Sequence, residues 1–220
     1  MRRAPVLLIV GAATFAALAS AQVRAQSASA NTKPLSGTPD IKTNVTLCDR
    51  GDARACNFVG ALYATGLQGV KVDAAQAFTF FLKACNGGHA TGCGNLANQY
   101  YNGLGVTEDR ARAVQFYQRA CDLGSVPGCV DLGVIYRDAK GVKVKNPTYA
   151  AQLFQRACDL SAAACASIAS MYELGMGVAK DAALAKMLYQ RSCNAIPSDS
   201  AEDIQKVWSR ASCNVLTRMK

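Results

Sequence analysis

The stretch CGNLANQYYNGLGVTEDRARAVQFYQRAC, residues 93–121, reads as two helices joined by a hinge. Leu96, Ala97 and Tyr100 stand three, four and seven places after Cys93, the spacing of one helix face. Gly103, Leu104, Gly105 and Val106 break that pattern, because glycine supplies left-handed backbone at little cost. Asp109 then offers a cap for a second helix, whose inner face runs Ala113, Tyr117 and Ala120 up to Cys121.

The same order recurs from Cys56 to Cys85, from Cys129 to Cys158 and from Cys165 to Cys193. The aliphatic position is Val59, Leu96, Leu132 and Ile168; the small one is Gly60, Ala97, Gly133 and Ala169; the aromatic one is Tyr63, Tyr100, Tyr136 and Tyr172. Glycine punctuation returns at Gly66, Gly141 and Gly175, and capping residues at Asp73, Asn146 and Asp181. Pro147 follows its cap at the first helical place, where a missing amide hydrogen costs nothing. Four helix-pair repeats follow, of about 56–92, 93–128, 129–164 and 165–200, within an all-α superhelix spanning 47–213.

Ten cysteines against one histidine point to paired thiols. Cys48 and Cys56, Cys85 and Cys93, and Cys121 and Cys129 are eight places apart, and Cys158 and Cys165 seven. Within one helix, eight residues would separate two backbones by about 12 Å, beyond the roughly 7 Å reach of a disulfide. A turn therefore lies between the members of each pair, and each bridge ties one repeat's second helix to the next repeat's first. Chain entropy assigns about 2.5 kcal/mol to a nine-residue loop so closed. Cys193 and Cys213 remain and pair with each other, holding a C-terminal cap at 201–213 in which Ile204, Val207 and Trp208 have helical spacing.

The N-terminus sets the compartment. Arg2 and Arg3, the apolar run from Ala4 to Leu18, and Ala19, Ser20 and Ala21 match the three regions of a secretory signal over residues 1–21. Residues 22–46, rich in Ser, Ala, Thr, Pro and Asn without periodicity, read as a flexible linker. The expectation is an exported chain, periplasmic or secreted, with no membrane span once processed and with its cysteines oxidised.

The landmarks together resemble the Sel-one-like repeat family: cysteine, Leu-Gly-x-x-Tyr, Gly-x-Gly-Val, Asp, Ala-x-x-x-Tyr and Arg-Ala-Cys. The cysteine pairs are similar to its secreted, cysteine-rich Hcp-type branch. Repeat three departs by placing Ala139 where the others have their first glycine, and Ser192 replaces an alanine. The resemblance implies a right-handed superhelix whose concave side binds proteins or peptides. It also implies an alternative, a penicillin-binding protein with weak β-lactamase activity or a binder of peptidoglycan fragments.

Chemistry finds little foothold in the sequence. No serine has lysine three places on, Lys42-Thr43 leads to Asn44 and Ser198-Asp199 to Ser200, so the parts of a serine β-lactamase are missing and no catalytic residue is assigned. His89 stands alone between Cys85 and Cys93 and reads as a loop residue rather than a metal ligand. Neither metal nor cofactor is expected. The formal charge of +9 falls to +7 without Arg2 and Arg3, yet the cations are dispersed, and Lys83, Arg119, Arg156 and Arg191 sit where they complement helix dipoles. Nucleic acid is not the expected partner; a protein or peptide of the bacterial envelope or extracellular space is.

A binding surface is sought at first-helix places one, five, eight and nine after the opening cysteine, which the core does not claim. These hold Asn57, Asn98, Tyr101, Asn102, Val130, Val134, Arg137, Asp138, Ser170 and Glu173. Apart from the two valines, they offer amide, hydroxyl and charged groups for peptide recognition on a concave face.

Overall fold

A computed structural model describes residues 40–195 and 203–219. The expected signal and most of the expected linker lie outside them, as do the side chains of Ile204, Val207 and Trp208. Among the described residues there are ten α-helices and no strand: α1 (Ile41–Asp49), α2 (Ala53–Thr65), α3 (Ala74–Asn86), α4 (Ala90–Asn102), α5 (Arg110–Asp122), α6 (Val126–Asp138), α7 (Pro147–Leu160), α8 (Cys165–Leu174), α9 (Ala182–Asn194) and α10 (Asp203–Arg218). Consecutive helices pack against each other along the chain, forming four pairs, α2/α3, α4/α5, α6/α7 and α8/α9, flanked by α1 and α10.

The second helices begin where the sequence places their caps. Asp73, Asp109, Asn146 and Asp181 each accept hydrogen bonds from backbone amides two or three places on. The first helices begin three residues before the opening cysteine, because Asp52, His89 and Ser125 cap them in the same way. His89 is thus no idle loop residue; its Nδ1 accepts from Gly92 N at 3.0 Å. In the last repeat a short 3-10 turn, Ala162–Ala164, stands in for that cap.

Two boundaries differ from the expectation. Helix α1 starts inside the expected linker, at Ile41, since the Asp40 carboxylate accepts from Thr43 N at 2.7 Å and nucleates it. Helix α10 runs five residues beyond Cys213, to Arg218.

The first helices end in left-handed residues Gly66, Gly103 and Gly175, with Ala139 taking the same conformation in repeat three (φ 58°). Beyond them, Gly105 and Gly177 lie so close to the preceding repeat that a Cβ would come within 2.1 Å of Ala74 O and 2.3 Å of Pro147 O. No side chain fits there.

All five disulfides form as the spacing requires: Cys48–Cys56, Cys85–Cys93, Cys121–Cys129, Cys158–Cys165 and Cys193–Cys213, with Cα separations of 4.2–4.9 Å. No cysteine is free. The sulfurs of the first four bridges lie within the core, with the fully buried Val59, Leu96, Leu132 and Ile168, while Cys193 and Cys213 are half-buried. Inside each pair the small first-helix residue faces the second-helix aromatic. Gly60 faces Phe81 and Gly133 faces Phe154, where an added Cβ would lie 2.7 and 2.5 Å from the ring. In the other two repeats, alanine accompanies a tyrosine whose hydroxyl reaches a first-helix acceptor: Tyr117 to Asn98 Oδ1 at 2.6 Å, and Tyr189 to Glu173 Oε2 at 2.9 Å.

Two of the four cations near second-helix ends do more than meet a dipole. Lys83 pairs with Asp49 at 2.9 Å and Arg156 with Asp122 at 3.2 Å, each reaching the residue after the preceding repeat's cysteine. Both pairs are exposed, so their contribution is small.

Candidate functional site

Successive first helices α2, α4 and α6 touch one another, whereas successive second helices do not to the same extent, which puts the first helices on the inner side of the stack. The candidate residues ride on these helices, and several already have work within the fold. Asn57 Oδ1 accepts from Asn95 Nδ2 at 2.9 Å across two repeats. Asn98, exposed, accepts the Tyr117 hydroxyl, and Asn102, also exposed, donates to Asn98 O at 2.9 Å.

Tyr101 packs edge-on against Tyr117, with centroids 6.4 Å apart and the Arg110 guanidinium over its ring. It joins the core margin together with Val130 and Val134, so these three do not project freely from the core as their spacing suggested. Of the three, Val130 borders two core clusters, whereas Tyr101 stays against Tyr117 of its own pair.

Arg137 and Asp138 form a two-bonded ion pair at 2.8 and 3.0 Å, and the Arg137 hydrogen bond holds the Asp138 carboxyl below its ordinary value. Ser170 donates to Ser167 O at 2.8 Å, and Glu173 serves Tyr189. Burial keeps the Tyr117 and Tyr189 hydroxyls protonated well above the usual phenol range, so both act as donors. The geometry therefore groups Asn57, Asn98, Tyr101 and Asn102 along α2 and α4, and leaves Ser170 and Glu173 bonded within the last repeat.

Two residues escaped the sequence reading. Asp131, two places after Cys129, is half-buried with no described hydrogen-bond or ion-pair partner, and burial pushes its carboxyl up to about 7. Gln99 lies where the other repeats have Leu62, Ile135 and Met171, and its Oε1 is buried without a partner among the described residues. At Gln99 the signal was available as a polar residue breaking an apolar column, but Asp131 shares its column with the polar Asn95 and Ser167 and does not stand out there.

Charge is divided between the two sets of helices. The first helices α2, α4, α6 and α8 carry Arg54, Asp131, Arg137, Asp138 and Glu173. The second helices carry Lys83, Arg110, Arg112, Arg119, Arg156, Lys186 and Arg191 against Asp122 and Asp159. The basic excess thus belongs to the second helices and the inner side is slightly acidic.

Two shallow depressions of about 430 Å³ open elsewhere. One surrounds the turn of Asp52, Gly88 and His89; the other lies between α7 and α8, where Ala151 stands in the place of Phe78 and Val114. Among the described residues no group of three metal-ligating side chains exists, and no helix is long and apolar enough to cross a membrane.

This architecture of stapled helix pairs defines a repeat scaffold. The Sel1 repeat profile matches residues 53–89, 90–125, 126–161 and 162–195, and the chain belongs to the Sel1 repeat family. These bounds begin at the caps rather than at the cysteines. Among solved structures the chain is similar to c5321, a protective antigen of uropathogenic Escherichia coli displaying an SLR fold (25% identity, TM-score 0.66, 80% of this chain and 41% of that one). It spans about two fifths of that antigen's length. It is also similar to a Sel1 repeat protein from Oxalobacter formigenes (25% identity, TM-score 0.61, 80% and 85%) and to cysteine rich protein B of Helicobacter pylori (32% identity, TM-score 0.47, 59% and 96%). No curated protein sequence matches.

Proposed function

We propose that the chain is exported and serves, without catalysis, as a rigid scaffold that binds a protein or peptide partner through the inner face of its first helices. One observation carries this reading. Bridges at every repeat boundary fix a row of first helices whose inner places offer amide groups, Asn57, Asn95, Asn98 and Asn102, suited to the hydrogen bonds of an extended backbone. Sel1 repeats generally mediate protein interactions, and the signal-like N-terminus together with five disulfides supports an oxidising periplasmic or extracellular setting.

The test is affinity capture from envelope extract with the disulfide-bonded chain and with Asn98→Ala and Asn102→Ala. One reproducible partner, lost in both variants while their melting temperatures stay near wild type, supports the scaffold. A partner retained by both variants moves the binding surface elsewhere. The catalytic alternative rests on the Hcp-type resemblance, and a chromogenic cephalosporin separates it: turnover abolished by an inner-face substitution replaces the scaffold reading.

A further inference from the structure

The inner face holds one carboxyl that the repeat leaves without a counterpart. In the first rung Asn57, one place after its opening cysteine, accepts from Asn95, two places after the next. One rung on, the same two places are occupied by Gly94 and Asp131. Gly94 brings no side chain, and a Cβ built there meets only Ala120 Cβ, at 3.9 Å. Asp131 has no donor among the described residues, and its electrostatic neighbour, the Tyr117 hydroxyl, is already committed to Asn98. A carboxyl in that position is costly until a donor arrives.

Charge and composition select what arrives. An anion is repelled, and an apolar group leaves the carboxyl unsatisfied. A cation fills the missing rung and removes the cost, since a charge-assisted hydrogen bond in a partly dry site is stronger than a neutral one. Beside Asp131 the Tyr117 hydroxyl and the Asn98 amide it meets are neutral, and the α4 helix itself carries no charged side chain.

We propose that Gly94 and Asp131 form a subsite for one cationic side chain, lysine or arginine, of a polypeptide lying along the first helices. The assignment rests on the inner-face reading above and adds a chemical requirement to it: the partner presents a basic residue to α4 and α6.

The test uses the disulfide-bonded chain and two capped pentapeptides, acetyl-Ala-Ala-Lys-Ala-Ala-amide and its norleucine counterpart, followed by amide chemical-shift titration. The lysine peptide is expected to shift the Gly94 and Asp131 resonances saturably and to bind at least tenfold more tightly than the norleucine peptide. Asp131→Asn, and separately Gly94→Asn, which sets a neutral amide donor opposite Asp131, each lower lysine-peptide affinity at least tenfold while the melting temperature shows an intact fold. Equal binding of both peptides, or undiminished lysine-peptide binding by either variant, overturns the subsite. If those shifts are equal but vanish in Asn57→Ala, the inner face survives and only the cation site fails. If neither peptide shifts any inner-face resonance, the subsite and the inner-face reading fail together.

Discussion

Adding one methyl group at two helical glycines should change stability in opposite directions. Gly94 in α4 and Gly133 in α6 both lie inside helices at negative φ, so alanine gains about 1 kcal/mol of helix propensity at either. At Gly94 the new Cβ has open space, its nearest neighbour 3.9 Å away. At Gly133 it stands 2.5 Å from Phe154 Cε1, where about 3.5–4.0 Å is comfortable, and Phe154 is fully buried and held on all sides. Overpacking of this kind costs about 1–3 kcal/mol, more than the propensity returns. Gly94→Ala is therefore expected to raise the melting temperature by roughly 2–4 °C and Gly133→Ala to lower it by a similar or larger amount. Circular dichroism melts without reductant, checked by urea midpoints at unchanged m-value, measure both. A Gly133→Ala protein as stable as wild type would refute the claim that a glycine–phenylalanine contact sets the spacing of the helix pair.

Further outcomes follow from single residues. Ala139→Gly removes the Cβ from a left-handed position shared with Gly66, Gly103 and Gly175, and should stabilise by about 0.5–1 kcal/mol in the same melts. His89 has its pKa lowered, first by burial and then by Arg54, and it caps α4 as the neutral form. Its contribution is complete above about pH 6.5 and is lost as pH falls through the lower folded value, so the stability difference between wild type and His89→Asn should shrink or reverse on acidification. Asp131 shows the opposite sign: with its folded value raised to about 7, ionisation costs stability as pH rises from near 4 past 7, and Asp131→Asn should be more stabilising at pH 8 than at pH 5. Alkylation followed by mass spectrometry of the exported, unreduced chain should label none of the ten cysteines.

Much of this fold could be read from periodicity because each repeat states the same rules four times. Cys56, Cys93, Cys129 and Cys165 fix the register, and the caps Asp73, Asp109, Asn146 and Asp181 fall where the pattern requires. The first-helix starts were less visible, since Asp52, His89 and Ser125 are three different residue types doing one job. The candidate surface was legible only in outline. Spacing placed Asn98 and Asn102 on the solvent side, but it could not show that Asn98 receives the Tyr117 hydroxyl, because that contact depends on how closely α4 and α5 approach. Asp131 was missed for a related reason: its meaning comes from Gly94 on another helix, and a residue with no side chain leaves no mark in a search for polar groups.

The disulfides sit between repeats, and none crosses the glycine hinge within one. Covalent and genetic modules are consequently half a period out of step: a closed loop joins the end of one copy to the beginning of the next. Protease nicks at hinges 66–73, 103–109 and 139–146 would each leave pieces held internally by their own bridge, so digestion ladders should advance in steps of one second helix plus the following first helix.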